Sequence, residues 1–513
     1  MSNPVNRFTF IPNRPCRERY QAANHYQNNV VGICVSCQYT IPTSLASSPR
    51  KLRHAIDLAV SRVILQHPML RVGMIGEGSR KPAWIQLAEI DLSQLIHWHT
   101  IDKDTDYLLF SQHILETQLD TKFSNIETCP PWRLVVLQQE ASNFIEIMFI
   151  FHHSVSDGVG GKLFHASLFR NLNSSAADEQ LPSLTNGVLE LTHAAKQLEH
   201  FPPSQTDMCK YPVSLGYALE KLWKVRAPPC AISDKEFRAA WAPILLSPRK
   251  TRTHRISLRD SEVQSLLRVC RKNNTTLTGL IHGIMLVTLA FTLHEEEASA
   301  FTAGTAMDMR PFTPPSPSKY PWLQPRETLA NIVSGVRHEF SPILVARARS
   351  SIKASLTQSD PKPALAEALW SIAAVSRRQI EEAIKLGVRN NVAGLMSTVS
   401  DWHAYVAAQA KKPRVCSWNI TNLGVFEPES PDRGRVAPSK SWGVKQASFT
   451  VCSQHIDNAI LLSLIKAKDG DLVIDVVRQD GIFEDGLASD VSNALEDWLS
   501  YFASVGSEKV EAS

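Results

Sequence analysis

The sequence has no hydrophobic run long enough to cross a membrane. Its longest apolar segment, residues 277–293, has 17 residues and contains His282 and three threonines, whereas a bilayer-spanning helix needs about 20 apolar residues. We therefore predict a helix buried in a protein core. The amino-terminal stretch lacks the apolar centre of a secretory signal, and the nine cysteines are mostly far apart. These features favour a reducing, cytoplasmic setting over a disulfide framework.

The chain also lacks a strong excess of charge. Its 54 Lys and Arg residues and 50 Asp and Glu residues give a formal charge of +4 over 513 residues, and the basic residues are scattered. Nothing here indicates the basic patch of a nucleic-acid-binding protein, and we expect no nucleic-acid partner. The small positive balance is compatible with an anionic small ligand.

Several catalytic and ligand-binding motifs are absent as well. No G-x-S-x-G and no H-E-x-x-H occurs, which argues against a serine-hydrolase elbow and a zinc-protease helix. In SDGVGGKL, residues 156–163, Ser156 and Leu163 stand where a phosphate-binding loop needs glycine and serine or threonine. Cys34 and Cys37 form a C-x-x-C without a second pair, in an alternating segment typical of a strand. We predict a structural role for both cysteines and no metal site.

The remaining pattern of strands and helices predicts a mixed α/β fold (α+β, two-layer). We expect it to have two parts, because the chain exceeds the size at which one core stops growing. Between about residues 173 and 248 the composition shifts towards serine, proline and polar residues, which marks the best candidate boundary. We assign residues 1–200 to an amino-terminal lobe, 201–250 to a linker or crossover, and 251–513 to a carboxy-terminal lobe. Apolar periodicity predicts strands or hairpins at 29–41, 71–90, 131–153, 253–258, 299–311, 414–426, 446–455 and 459–477, and helices at 48–67, 161–172, 260–272, 277–293 and 490–505. The first helix ends before Pro68, and Asp260 or Ser261 is the expected cap of the helix at 260–272.

The stretch IEIMFIFHHSVSDGVGGKLFH, residues 145–165, places titratable residues at the end of an apolar run. On a strand, alternate residues share one face, so the strand delivers His153 at the end of an apolar stripe. Its imidazole has the ordinary pKa for a general base at neutral pH. The alternatives are a satisfied core histidine at position 153 and a helix N-cap at Asp157.

The same stretch resembles a known family signature. HHSVSDG, residues 152–158, matches the H-H-x-x-x-D-G motif of the coenzyme A-dependent acyltransferase superfamily, which includes chloramphenicol acetyltransferase, plant BAHD enzymes and peptide-synthetase condensation domains. QHPMLRV at 66–72, MDMRP at 307–311 and TNLGVF at 421–426 follow in the expected order. The chain is most similar to fungal alcohol O-acetyltransferases. The resemblance implies two chloramphenicol-acetyltransferase-like lobes, each with a central mixed sheet, and an active-site tunnel between them.

The resemblance also implies roles for particular residues. His153 would be the general base, and Asp157, the second candidate catalytic residue, would turn away from the substrate to pair with Arg310. His152, Gly158 and Asp308 would support the site, Gly158 by permitting a tight turn. Asp308 stands where related motifs often have asparagine. Candidates for contacting the oxyanion or the acceptor are Ser417, Thr421 and Asn422, which could equally hold their strand in register.

The implied reaction is direct transfer of an acyl group, expected to be acetyl, from acyl-CoA to a small alcohol or amine. We expect acyl-CoA as a cosubstrate bound between the lobes, no tightly bound cofactor, and a monomer. A carrier-dependent, condensation-like enzyme and a non-catalytic ligand-binding member of the fold are the alternatives. The last helix carries Trp498, Tyr501 and Phe502. These residues would allow peripheral membrane association, but we favour core packing.

Overall fold

The chain folds into two mixed β-sheets with helices packed against them. A computed structural model describes residues 9–10, 16–174, 184–191, 200–226, 237–429 and 440–507. Within these residues the strands are β1 Thr9–Phe10, β2 Ile33–Thr40, β3 Val72–Ile75, β4 Ala83–Gln86, β5 Glu89–Asp91, β6 Ile96–Ile101, β7 Trp132–Gln139, β8 Phe144–Phe151, β9 Leu184–Thr185, β10 Val188–Glu190, β11 Thr251–Leu258, β12 Phe301–Asp308, β13 Val333–Phe340, β14 Cys416–Phe426, β15 Gly443–Val451, β16 Asn458–Ala467 and β17 Leu472–Gln479. The helices are α1 Cys16–Tyr26, α2 Thr43–Ala46, α3 Pro49–Gln66, α4 Tyr107–Asp120, α5 Gly158–Asn173, α6 Gln205–Met208, α7 Leu215–Arg226, α8 Asp260–Lys272, α9 Leu277–Thr292, α10 Pro342–Ser355, α11 Lys362–Leu386, α12 Trp402–Gln409 and α13 Asp485–Ser507.

The first sheet has the strand order β15-β2-β8-β7-β6. Its neighbours are antiparallel except for the parallel pair β6 and β7. The central strand β8 is buried at every position after Phe144, as the apolar run 145–151 predicts. The hairpin of β7 and β8 is present, and so is that of β3 and β4. This sheet forms a rigid base for the turn that follows β8.

The second sheet has the order β11-β17-β16-β14-β12-β13. Strands β12, β14 and β16 are parallel neighbours, and the outer pairings are antiparallel. Helix α9 is buried along most of its length and lies in the second core with α8, α11 and α13. Helix α8 begins at Asp260, and the backbone N–H of Arg259 donates to the Glu262 carboxylate at 2.8 Å. The predicted cap at Asp260 or Ser261 was therefore placed one or two residues too late.

One strand crosses from the second half of the chain into the sheet of the first half. Strand β15 pairs antiparallel with β2, with Thr450 opposite Cys34. Val35, Phe149 and Leu461 also belong to one apolar cluster, so the two sheets share a core. The lobe boundaries given above remain a prediction, and the crossing strand shows that the halves are interlocked.

The remaining apolar helices are accounted for by packing. In the part of the chain that the structure describes, no single helix is long and apolar enough to cross a membrane. Helices α8 and α9 have the required length and apolarity only when taken together, and the pair is bent by 84°. Trp498 and Phe502 of α13 are buried, and Tyr501 packs against the same core. This confirms the core-packing interpretation of the last helix.

Candidate active site

The turn between β8 and α5 carries the residues singled out in the sequence. His152 and His153 follow the last residue of β8, and Asp157 precedes the first residue of α5. Helix α5 begins at Gly158, three residues before the predicted start, because the Asp157 carboxylate caps it by accepting from the Gly160 N–H at 2.8 Å. The N-cap interpretation of Asp157 is therefore correct, whatever else this residue does.

His153 lines a cavity of about 510 Å³ whose walls come from both halves of the chain. Its Nδ1 lies 2.9 Å from the carbonyl oxygen of Ser156, which can only accept. The proton is thus on Nδ1, and Nε2 holds the lone pair. No described residue is hydrogen-bonded to Nε2. Burial, helped by the positive charge of Arg17, lowers the pKa of His153 to about 4 against the opposing effects of Ser156 and Asp157. His153 is therefore neutral at pH 7 and able to accept a proton.

Both carboxylate oxygens of Asp157 are occupied by donors other than His153. Oδ1 caps α5, while Oδ2 accepts from Nη1 of Arg310 at 2.9 Å and from the backbone N–H of Ile332 at 2.7 Å. The Asp157–Arg310 contact that the family resemblance implies is present. Burial alone raises the pKa of this carboxyl, but Arg310 and the two N–H donors bring it below its ordinary value. Asp157 is thus an anion that fixes the turn.

Arg310 ties the turn to the second half of the chain. Its side chain is 2% exposed, and Nη1 also donates to Asp308 at 3.0 Å while Nη2 donates to the carbonyl oxygen of Ala330 at 2.8 Å. Asp308 is half-buried and lines the cavity. Its burial raises the pKa of its carboxyl, and the charge of Asp157 adds to that effect against the opposing charge of Arg310. Asp308 therefore provides Arg310 with a second carboxylate partner besides Asp157.

Gly158 is required for a different reason from the one predicted. Its φ is not positive, so no tight turn demands glycine there. A Cβ at this position would lie 2.8 Å from Cδ2 of Leu423 and 2.8 Å from Cζ of Phe449, which belong to β14 and β15. The missing side chain lets these two strands pass close to the start of α5.

The three candidates on β14 lie in different surroundings. Thr421 and Asn422 line the cavity, whereas Ser417 is buried and does not. The Asn422 amide is already used, since Oδ1 accepts from the N–H of Gly424 at 2.8 Å and Nδ2 donates to Oγ1 of Thr278 at 3.2 Å. This local bonding holds the bulge of β14 at Gly424, whose φ is +66°. The Thr421 hydroxyl is used as well, since its Oγ1 lies 3.1 Å from Oγ of Ser463 and 3.4 Å from the carbonyl oxygen of Leu462. Both cavity-lining candidates on β14 are therefore already hydrogen-bonded within the protein.

Two cavity-lining residues and one anchoring residue were missed by the sequence reasoning. Asn419 lies two residues before Thr421 on the same face of β14 and lines the cavity, and none of the described residues hydrogen-bonds its amide. The period-2 spacing from Thr421 is the signal that could have found it. Arg17, in the first turn of α1, also lines the cavity. Lys162 donates to the carbonyl oxygens of Leu423 at 2.7 Å and Val425 at 3.0 Å, anchoring β14 to α5.

Comparison with known proteins places the chain in a family. Residues 97–488 match the family model described as alcohol acetyltransferase. The chain belongs to the alcohol acetyltransferase family. It is an acyltransferase, as the signature at residues 152–158 led us to expect.

Two fungal relatives in this family align along nearly their whole length. The chain is 25% identical over 483 residues to the probable alcohol acetyltransferase FCK4 of Fusarium pseudograminearum, covering 92% of this chain and 91% of the relative. It is 24% identical over 492 residues to the probable alcohol acetyltransferase crmB of Aspergillus fumigatus, covering 91% and 95%.

Solved structures confirm the predicted fold class. The fold resembles the TRI3 trichothecene 15-O-acetyltransferase of Fusarium sporotrichioides, with a TM-score of 0.70, 13% identity and coverage of 98% and 96%. It also resembles the condensation domain of the Monacolin K polyketide synthase MokA, with a TM-score of 0.55, 11% identity and coverage of 97% of both chains. This likeness concerns the two-lobed architecture with its mixed sheets.

In this alcohol acetyltransferase family member, His152 faces away from the cavity into a buried cluster with His25 and Glu77. Oε1 of Glu77 lies 2.6 Å from Nδ1 of His25 and 3.1 Å from Nε2 of His152. The other ring nitrogens accept from backbone N–H groups, Nε2 of His25 from Phe123 at 3.3 Å and Nδ1 of His152 from Ser154 at 2.9 Å. Each imidazole is thus neutral and donates its single N–H to the same carboxylate oxygen.

The spacing of this cluster would suit a metal ion, since the three ligand atoms lie within 4.8 Å of one another. A metal-bound histidine, however, normally donates its second ring N–H to an acceptor. Here the second nitrogens of His25 and His152 face N–H donors, so metal binding would require either imidazolate anions or the loss of both hydrogen bonds. Despite its own burial, Glu77 has a pKa lowered to about 2 by these two hydrogen bonds. The cluster fits a carboxylate that locks His152, and with it the backbone next to His153.

Proposed function

We propose that this enzyme transfers an acetyl group from acetyl-CoA to the hydroxyl of a small molecule, with His153 as the general base. The observation that carries the proposal is the state of His153. Its Nδ1 is committed to the Ser156 carbonyl, its Nε2 is the basic nitrogen, and burial keeps it neutral in a cavity that both halves line.

In the proposed mechanism, Nε2 of His153 takes the proton of the acceptor hydroxyl while the oxygen attacks the thioester carbonyl carbon. A tetrahedral intermediate forms and its carbon–sulfur bond breaks. The CoA thiolate then leaves and takes the proton back from the imidazolium, so that no covalent acyl-enzyme arises. General-base assistance of this kind contributes on the order of 10² to 10⁴ in rate.

The developing oxyanion needs a hydrogen-bond donor close to the thioester carbonyl. Asn419 and Thr421 share the face of β14 that lines the cavity, and the Asn419 amide has no described protein partner. We assign Nδ2 of Asn419 as the first candidate donor. The Thr421 hydroxyl is a weaker candidate, because it already bonds to Ser463 and Leu462. Asn422 is a weaker candidate because its amide is used to hold the bulge.

Asp157 acts as a positioning residue in this proposal. Its two oxygens bond to Gly160, Ile332 and Arg310, so the turn that carries His153 is fixed from both halves. Asn331 adds a further tie, because its Nδ2 donates to the His153 carbonyl oxygen at 2.7 Å. A base held in this way loses little entropy when the acceptor binds.

The test is thiol release from acetyl-CoA with a panel of alcohol acceptors, together with the mass of the ester product. His153→Ala should lower kcat by about 10² to 10⁴ and keep the native near-UV circular dichroism. The matched control is His97→Ala, which changes an exposed histidine on β6 and should leave kcat unchanged. Thiol release by His153→Ala at the wild-type rate would refute the assignment of the base. Activity with carrier-bound acetyl groups but not with free acetyl-CoA would favour the condensation-like alternative.

A further inference from the structure

Arg17 places a cation in the cavity wall, and no carboxylate among the described residues forms an ion pair with it. Its Nε donates to Oδ1 of Asn331 at 3.2 Å, and its terminal nitrogens have no hydrogen-bond partner among the described residues. Arg310 provides the contrast, because both of its terminal nitrogens are bonded and one contacts two carboxylates. The side chain of Arg17 is half-buried and burial lowers its pKa, so an anion bound beside the guanidinium would offset part of this desolvation.

The carboxylates around Arg17 are not available to it. Asp157 and Asp308 are bonded to Arg310. Glu18 follows Arg17 in the chain, but burial raises the pKa of its carboxyl to about 8, so it is mostly protonated at pH 7. Asp457, elsewhere on the cavity wall, accepts from Asn29, and burial raises its pKa as well. The site therefore has an open position for an anion beside Arg17.

The position of Arg17 favours a remote group of the acceptor over the reacting thioester. Asn331 bonds to Arg17 through Oδ1, and its Nδ2 lies 3.3 Å from Nδ1 of His153. Arg17 is thus attached on the Nδ1 side of the imidazole, while the proton transfer takes place at Nε2 on the opposite edge. An anion held by Arg17 would therefore not be the oxygen of the carbonyl under attack.

We propose that Arg17 binds a carboxylate on the acceptor, so that the substrate alcohol is a hydroxy acid. The planar guanidinium presents paired N–H donors that match the two oxygens of a carboxylate. The single positive charge of the Arg17 guanidinium also matches the single negative charge of a carboxylate. This inference rests on the proposed function, because it names the class of acceptor for the same reaction.

The experiment compares α-, β- and γ-hydroxy acids and hydroxybenzoic acids with their methyl esters as acceptors of acetyl-CoA. The wild-type enzyme should use at least one hydroxy acid with a kcat/KM about tenfold or more above that of its ester. Arg17→Gln should lower kcat/KM for the acid about 10- to 100-fold more than for its ester, mainly through KM, as expected for one charge-assisted contact; a smaller loss common to both acceptors reflects the link from Arg17 through Asn331 to His153. Arg17→Lys should retain part of the preference. The matched control is Arg347→Gln, at an exposed arginine of α10.

The possible outcomes distinguish a failure of the Arg17 subsite from a failure of the proposed acetyl transfer. Esters used as well as acids, or an equal loss of activity for both in Arg17→Gln, would overturn the subsite while leaving acetyl transfer intact. Calorimetry of the hydroxy acids without acetyl-CoA is the second measurement. Binding that depends on Arg17 without any thiol release would support the subsite and refute the proposed function. If no hydroxy acid binds and none is acetylated, the subsite proposal fails.

Discussion

Asp157→Asn tests the central contact of the site, because this change keeps the shape of the side chain and removes its charge. Asparagine is as good an N-cap as aspartate, so its carbonyl oxygen can still accept from the N–H of Gly160. Its NH₂ group then faces Nη1 of Arg310 and the N–H of Ile332, which now lie at 2.9 and 2.7 Å from Oδ2 of the aspartate. The new NH₂ group would then face two other N–H donors in a buried site, with no acceptor between them.

The size of the effect follows from what remains buried and unpaired. Removing one partner of a buried ion pair costs about 3 to 5 kcal/mol. Asp308 stays 3.0 Å from Nη1 of Arg310 and keeps part of the compensation, which places the loss near the lower limit, at about 3 kcal/mol. Since the pKa of Asp157 is below its ordinary value, this contribution is present above the carboxyl's unfolded pKa. It is lost only as the pH falls through the lower folded value.

The assay is equilibrium unfolding in urea at pH 7, followed by tryptophan fluorescence, with the first transition used if the two halves unfold separately. The control is Asp308→Asn, at a half-buried residue, with an expected loss of about 1 kcal/mol. Arg310→Met should cost less in the Asp157→Asn background than in the wild type, because the charge it removes is already unpaired. A loss below about 1 kcal/mol for Asp157→Asn, or additive effects of the two changes, would refute the reasoning.

Three further predictions use other parts of the site. Because burial lowers the pKa of His153 to about 4, kcat/KM should stay level as the pH falls through the ordinary histidine pKa of 6.5 and decline only near the lower value; a decline centred at 6.5 would contradict this. Glu77→Gln should lower the free energy of unfolding by about 1 to 3 kcal/mol, because a charged acceptor shared by two imidazoles is lost, and Zn²⁺ should not raise the urea midpoint of the wild type if the cluster is a hydrogen-bonded carboxylate. Gly161→Ala would place a Cβ 2.4 Å from Cγ2 of Val35 and should cost about 1 to 3 kcal/mol through overpacking. Its control is Gly486→Ala, in open space within α13, which should be neutral or slightly stabilising in the same urea experiment.

Local patterns in the sequence predicted the elements that carry the site, but not the partners of those elements. The apolar run 145–151 indicated β8, and the turn signals indicated its hairpin with β7, because both depend on neighbouring residues. The pairing of β15 with β2 joins Thr450 to Cys34. Alternation identifies a strand and its buried face, but does not specify which distant edge it joins.

The same distinction applies to the residues of the site. His153 was identified by its position at the end of a strand, and the Asp157–Arg310 contact came from the family resemblance. Arg17 and Asn331 are 314 residues apart, and neither belongs to a motif. Only the folded chain brings that guanidinium beside the His153 turn, so it could not be predicted from local sequence. Asn419 could have been predicted from the choice of Thr421, because it lies two residues earlier on β14 and alternate residues of a strand share one face.

The ties across the cavity limit how the two halves can move. Arg310 and Ile332 bind Asp157, Lys162 binds the β14 carbonyl groups, and β15 is a strand of the first sheet. Separating the halves would expose the buried ion pair and break a full strand pairing at the same time, and each of these costs several kcal/mol. Opening of the lobes is therefore an unfavourable route for substrate entry. In the proposed mechanism both substrates would therefore have to enter the cavity with these contacts intact, and the Asn331 bonds would keep Arg17 beside the His153 turn.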